Sequence, residues 1–217
     1  MSAAERLQKI LDEIAAAAKL ARRDPADVQL IAVSKTRSPG QIEELISVGQ
    51  RDFGESRVQE ALEKWSSMLA RYPDVRLHCI GRLQSNKAAE AVKLFDVIHS
   101  VDRKSLLDAL ARETQKEVRP PSVYVQVNIG GEEQKGGCPI GDVGSLIEAV
   151  RSTSIPLAGL MAIPPLGLEP APYFALLAKI ARRHDVTGLS IGMSGDFEAA
   201  VMLGATAVRV GTALFED

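Results

Sequence analysis

The sequence predicts an α/β protein, a single (β/α)8 TIM barrel with an extra N-terminal helix. Two observations lead there and a third excludes the main competitor. Short apolar runs rich in Val, Ile and Leu alternate with segments of helical periodicity, so the strands are expected to lie parallel and buried on both faces. Eight such runs can be read, with seven helices between them and one ahead of the first, and eight βα units close a sheet into a barrel. An open, doubly wound sheet would carry a glycine-rich phosphate fingerprint after its first strand, and neither GxGxxG nor a Walker sequence follows here.

Leu7, Ile10, Leu11 and Ile14 recur at i, i+3, i+4 and i+7, which predicts an amphipathic helix over 3–22. The first strand is the apolar run 30–36, delivering Lys35 at its C-terminal end. Ser38 and Pro39 start a helix that buries Ile42, Leu45 and Ile46 and stops at Gly49. An extended piece at 51–54 leads into a helix over 57–71, and a strand at 75–80 ends at Gly81. A helix over 86–94, a strand at 97–101 and a helix carrying Leu106, Leu107 and Leu110 follow, closed by Pro120 and Pro121. The strand at 123–128 runs into the longest irregular segment, 130–141, and then a helix with Val143, Leu146, Ile147 and Val150 at helical spacing. A strand at 156–163, a helix at 173–183, a strand at 188–193, a short helix capped by Asp196 and a strand at 205–210 complete the reading. No repeat, low-complexity tract or linker interrupts residues 1–217, so one domain is expected.

Composition narrows the function. With 217 residues, 46% hydrophobic, and a net charge of -2, the chain can bury one sizeable core and has no excess of positive charge for a polyanion. Aromatic residues make up only 4% and no basic stripe is interleaved with them, so nucleic acid is not an expected partner. No apolar run approaches the roughly 20 residues needed to span a bilayer, and no leader pattern opens the chain. The expectation is a cytoplasmic protein without a membrane role. Cys79 and Cys138 fall in no spacing motif, which suggests neither a zinc site nor a disulfide framework.

The chemistry-bearing residues gather at the predicted carboxyl ends of strands, where barrels bind ligands. Lys35 at the end of an apolar strand is expected to be partly desolvated and available for Schiff-base chemistry, although strand-end lysines often only lay an apolar stem toward solvent. Phosphate sites in such barrels are often built from the loops after strands 7 and 8. Here those loops hold Ser194, Gly195 and Asp196, and Gly211 and Thr212 behind the strand-borne Arg209. The bland readings are a turn with a helix cap, a turn glycine, and an arginine paired with a buried carboxylate. Together, an amine, a phosphate cradle and a fixed cation fit pyridoxal 5'-phosphate (PLP). An arginine can donate to the pyridine nitrogen but cannot take its proton, which leaves the ring a weak electron sink.

Further runs carry a resemblance. Residues 32–35 (Ala-Val-Ser-Lys), 53–60 (Phe-Gly-Glu-Ser-Arg-Val-Gln-Glu), 78–87 (His-Cys-Ile-Gly-Arg-Leu-Gln-Ser-Asn-Lys), 159–161 (Gly-Leu-Met) and 189–215 together resemble the pyridoxal phosphate homeostasis protein family. That resemblance implies a barrel like the N-terminal domain of alanine racemase and a PLP-binding, regulatory protein with no established catalytic reaction. It implies that Lys35 carries the Schiff base, that Arg209 faces the pyridine nitrogen, and that Ser194, Gly211 and Thr212 hold the phosphate. The chain departs from the family pattern at Ser56, where asparagine is usual, and at Cys79, where an aromatic is common.

Other polar residues are given lesser roles. His78 and His99 lie on strands, can point into the barrel, and are expected to be hydrogen-bonded core residues rather than catalytic bases. Asn86 and Lys87 read as a surface helix start. Lys135, in the glycine-rich loop, reads as solvated charge or as a transient amine acceptor that helps hand the cofactor to apoenzymes. The main alternative is a small PLP-dependent racemase. Racemisation needs two acid–base groups on opposite faces of the substrate carbon, and in alanine racemase the second comes from a tyrosine of a C-terminal β-domain. This chain ends at Asp217, and Tyr72, Tyr124 and Tyr173 lie on helices and strands that do not replace that domain, so a monomer without a catalytic residue is expected. A sugar-phosphate aldolase, with Asp102 or Glu55 as its carboxylate, ranks last.

Overall fold

A computed structural model describes residues 1–215. Eight parallel strands close into a barrel in sequence order: β1 (Gln29–Val33), β2 (Asp52–Glu55), β3 (Arg76–Cys79), β4 (Val97–Val101), β5 (Ser122–Gln126), β6 (Leu157–Met161), β7 (Leu189–Met193) and β8 (Ala207–Val210). The ring shuts where Leu30 of β1 pairs with Val208 of β8. Helices surround it: α1 (Ala3–Leu20), α2 (Pro39–Ser47), α3 (Val58–Trp65), α4 (Met68–Arg71), α5 (Ala88–Leu94), α6 (Lys104–Thr114), α7 (Val143–Arg151), α8 (Ala171–Arg183), α9 (Phe197–Met202) and α10 (Thr212–Phe215). None of the described helices is long and apolar enough to cross a membrane.

Local chemistry explains the entries. Ser2 with Glu5, and Ser38 with Gln41, form reciprocal capping boxes at the starts of α1 and α2, and Pro39 takes the first helical position, where its missing N–H costs nothing. The leading helix is part of the barrel wall: Arg6 Nε donates to the Leu214 carbonyl of α10 (2.8 Å), while Arg23 donates to the carbonyls of Val201 (2.7 Å) and Ala205 (2.8 Å). The expected helix over 57–71 is two pieces, α3 and α4, divided at Ser66 and Ser67, where Ser66 returns its hydroxyl to the Leu62 carbonyl and competes with the helical ladder. The short α10 after β8 was not anticipated.

The principal core lies between strands and helices, with Trp65, Phe53, Phe174, Ile42, Leu45 and Leu106 among its buried members. The barrel interior is different. Its separate apolar cluster is Val97, Tyr124 and Met161, and the rest of the space holds the polar side chains described below. Where β6 and β7 begin, the backbones touch: a Cβ on Gly188 would lie 1.9 Å from the Ala158 carbonyl oxygen, so only glycine fits.

Candidate functional site

Lys35 sits one residue beyond the end of the barrel interior proper. β1 stops at Val33, Ser34 is buried, and the chain turns through Thr36, whose φ of 64° is strained for a β-branched residue at a cost of order 1–3 kcal/mol. The sequence reading expected Lys35 to be desolvated, and the structure corrects it. Because the strand ends two residues earlier, Lys35 is exposed, and its amine has no hydrogen bond or ion pair among the described residues.

The turn is anchored from behind. Glu55, fully buried at the end of β2, points toward α3 and not into the barrel mouth. Its Oε1 accepts from Ser34 Oγ (2.7 Å), Lys64 Nζ (2.9 Å) and Trp65 Nε1 (3.0 Å), and Lys64 Nζ also donates to the Ser34 carbonyl (2.8 Å). Glu55 is therefore not a carboxylate available to chemistry at the mouth, and Asp102 is engaged by Arg103 and the Gly137 amide. These placements remove the carboxylates on which an aldolase reading would depend.

The loops after β7 and β8 meet. The Gly211 amide donates to Ser194 Oγ at 3.2 Å, tying one loop to the other. The amides of Ser194, Gly195 and Thr212 donate to no group among the described residues, Gly195 and Thr212 are exposed, and a Cβ on Gly195 would meet nothing within 4 Å. A register shift between β7 and β8 and Gly192 at φ 91° aim this segment outward. Asp196 stands at the N-cap of α9, yet its carboxylate accepts from the Met193 amide (2.6 Å) instead of capping the helix, which fixes the loop and not the helix end. The result is a shallow nest of free N–H groups and hydroxyls suited to a phosphate.

Arg209 lies below that nest, buried, and does not pair with a carboxylate as the bland reading supposed. Its Nη1 donates to the Ser190 carbonyl (2.7 Å) and to Ser190 Oγ, and its Nη2 to the Ala162 carbonyl (3.2 Å). Burial pulls the guanidinium down to about 10, so it remains a cation at neutral pH. Three of its five N–H groups are used, leaving Nε–H and one Nη2–H without a protein acceptor among the described residues.

From Arg209 a hydrogen-bonded chain crosses the barrel. Ser190 Oγ contacts His99 Nδ1 (2.8 Å), His99 Nε2 contacts His78 Nδ1 (3.0 Å), and His78 Nε2 contacts Asp52 Oδ1 (2.9 Å). Arginine only donates, so the Ser190 hydroxyl gives its proton to His99 Nδ1. His99 then carries its proton on Nε2 and gives it to His78, and His78 in turn donates to Asp52. Every donor in this chain then points the same way. Burial, followed by the nearby His78 and Arg209, holds His99 well below 6.5. Burial alone would raise Asp52, but hydrogen bonds from His78 and Gln29 and the Arg76 charge hold it below its usual value. Tyr124 stacks on His99 with ring centroids 4.5 Å apart. His78 and His99 are thus interior hydrogen-bonded residues, as expected; Asp52 and Ser190 were missed, although Ser190 is the one hydroxyl in the otherwise apolar β7.

This chain makes acid stability measurable. Because folding depresses the His99 pKa, the unfolded state takes up the proton first as pH falls. The contribution is complete above pH 6.5 and is expected to be lost below it, at up to about 1.4 kcal/mol per pH unit, with Asp52 adding a loss below its ordinary 3.8. Denaturant titrations from pH 7.5 to 4.5 would read the His99 part and an extension to pH 3 the Asp52 part, and a wild-type slope between pH 6.5 and 4.5 matching that of His99→Gln would refute it.

The remaining sequence candidates are placed elsewhere. Lys135 is tied to Glu132 (2.7 Å) and to the Pro164 carbonyl (3.0 Å), so it is held in its loop and not simply solvated. Asn86 and Lys87 lie in the 3-10 turn Ser85–Lys87 ahead of α5. Ser56 lines a cavity over β2 to β4, and Gly81 is there because a Cβ would come 2.1 Å from the Ser56 carbonyl oxygen. Cys79 and Cys138 are buried and free, and burial pushes both thiols up to about 12.

With this geometry in hand, the sequence can be set beside known proteins. The sequence profile of the alanine racemase N-terminal domain family matches residues 6–217. The pyridoxal phosphate homeostasis protein of Pseudomonas aeruginosa is 42% identical, over 98% of this chain and 94% of its own. The chain belongs to the pyridoxal phosphate homeostasis protein family. Its relative of the same name in Aquifex aeolicus is 39% identical, covering 100% of this chain and 99% of that one. PipY from Synechococcus elongatus, solved with PLP bound, superposes with a TM-score of 0.83 at 39% identity, covering 98% of this chain and 99% of PipY.

Proposed function

We propose that this chain, as one domain, binds PLP as a Schiff base on Lys35 and serves intracellular PLP homeostasis, holding a reactive aldehyde and releasing it to apoenzymes. The observation that carries the reading is the buried Arg209 with unused N–H donors, set beneath a nest of free amides from both the β7 and β8 loops. Bound there, PLP would supply an aldehyde to an amine and an electron-withdrawing ring. Ser194, Gly195, Gly211 and Thr212 hold the phosphate, Arg209 donates to the ring nitrogen, and Lys35 provides the amine from an exposed turn. The relative PipY, whose structure has PLP bound, supports the choice of ligand.

The residues favour holding over turnover. Arg209 remains protonated near neutral pH and cannot accept the ring nitrogen's proton, so it does not strengthen the electron sink that racemisation uses. The tyrosines are committed elsewhere: Tyr124 stacks on His99 inside the barrel, Tyr72 ends α4 against Arg71, and Tyr173 packs against the helix-side core. We take the protein to act as a cytoplasmic monomer.

The test is an absorption titration of the purified protein with PLP, followed by borohydride reduction, peptide mapping, and incubation with alanine and other amino acids. One reduced adduct per chain on Lys35, without racemisation, is expected. Sustained racemisation would replace this reading with the enzyme alternative, and an adduct mapped to another lysine would move the site.

A further inference from the structure

The barrel mouth has a second recess, opposite in character to the exposed Lys35 turn. The exits of β2, β3 and β4 enclose a cavity of about 670 Å³, within the range of small-molecule sites. Its charged lining is entirely cationic: Arg57, Arg82, Lys87 and Arg103, with the hydroxyls of Ser56 and Ser85 between them. We infer that this cavity binds a small organic di- or polyphosphate, at a site separate from the Ser194 and Gly211 cradle. The inference goes beyond the function proposed above and does not depend on it.

Four features lead to that ligand class. Arg82 is exposed and has no hydrogen bond or ion pair among the described residues. Arg57 and Lys87 pair only with Glu60 (2.6 Å) and Glu90 (3.1 Å), each three residues along its own helix and partly exposed. Such exposed surface pairs are weak and yield readily to a stronger anion. Arg103 is pre-positioned: its Nη1 pairs with Asp102, which meets part of its charge, and its Nη2 donates to the Leu83 carbonyl (3.0 Å) and Ser85 Oγ (3.3 Å), so little is lost in ordering it. Finally, Arg57 and Arg103 occupy the N-caps of α3 and α6, where no side chain caps the free amides and a cation meets the positive end of the helix dipole. Where α1 and α2 begin, a serine capping box does the opposite. An anion in the cavity would answer both the uncapped amides and the crowded cations.

The rest of the lining narrows the ligand further. The apolar contribution is confined to Val58 and Leu83 and no aromatic side chain is present, so there is no platform for stacking a nucleobase. With this many donors spread over such a volume, two or more phosphoryl groups on a hydrophilic frame fit better than a single phosphate.

The experiment is calorimetric titration of the apo protein with inorganic pyrophosphate, and separately with inorganic phosphate, at about 0.15 M ionic strength to suppress diffuse attraction. Pyrophosphate is expected to bind at least about tenfold more tightly than phosphate, and the Arg57→Gln/Arg82→Gln double variant to weaken it by about tenfold or more. Both side chains are exposed, so the fold should tolerate the change, and Ser194→Ala should leave pyrophosphate binding at this cavity intact. Loss of binding in Ser194→Ala with none in the double variant would assign pyrophosphate to the cradle and overturn the inference. So would undetectable binding at millimolar pyrophosphate.

Discussion

Lys35→Ala is expected to abolish the reducible adduct while leaving the protein folded. The Lys35 side chain is exposed and makes no contact that holds the structure, so its removal should change stability by no more than about 0.5 kcal/mol. What it removes is the covalent bond. The phosphate nest and Arg209 remain, so PLP is expected to be retained non-covalently, weakened by at least about a hundredfold, with free-aldehyde absorption in place of the bound band. Borohydride treatment followed by mass spectrometry reads the result directly. An adduct of unchanged yield in Lys35→Ala would place the reactive amine on another residue. A variant that unfolds would show instead that the strained turn at Thr36 depends on the lysine.

Glu55→Ala should have the opposite profile, a large loss of stability at a residue that touches no ligand. The alanine leaves Lys64, only 12% exposed, as a buried cation facing a single carbonyl, strips the acceptor from Trp65 Nε1, and leaves Ser34 Oγ only its long contact to the Gly54 carbonyl (3.4 Å). Breaking one side of a buried pair in this way costs about 3–5 kcal/mol, which for a chain of this size lowers Tm by about 6–20 °C. Glu55→Gln keeps an acceptor and should fall in between. Glu55→Leu combined with Lys64→Met should recover most of the loss, because it removes both charges together. Thermal denaturation of these variants measures it, and a loss below about 1 kcal/mol in Glu55→Ala would mean that the interaction is not stabilising. Because Ser34 immediately precedes Lys35, the surviving folded fraction should also present its amine less uniformly, seen as slower adduct formation.

These residues divide by how local their signals are. The barrel, its eight strands and the helix ahead of them were legible because alternation and helical spacing are written within a few residues of one another. The placement of Ser194, Gly195, Gly211 and Thr212 was legible for the same reason, since they lie in short loop segments at the ends of readable strands; that they hold a phosphate is the proposal made above. Even so, local reading misjudged ends: it placed Lys35 on the strand, joined α3 to α4, and gave Asp196 a helix to cap, where each outcome rests on one or two hydrogen bonds.

What only the tertiary structure decided involves partners far apart in the chain. His99 and Ser190 are separated by 91 positions, and whether they meet depends on the stagger of strands around the closed barrel. The same holds for Arg209 taking neutral oxygens from β7 and from the end of β6 instead of a carboxylate, and for Arg57, Arg82 and Arg103 converging from three different strand exits. Glu55 illustrates the reason most simply. Adjacent strand residues face opposite sides of the sheet, so a one-residue difference in register decides whether that carboxylate enters the barrel or, as it does, locks the Lys35 turn to α3 from outside.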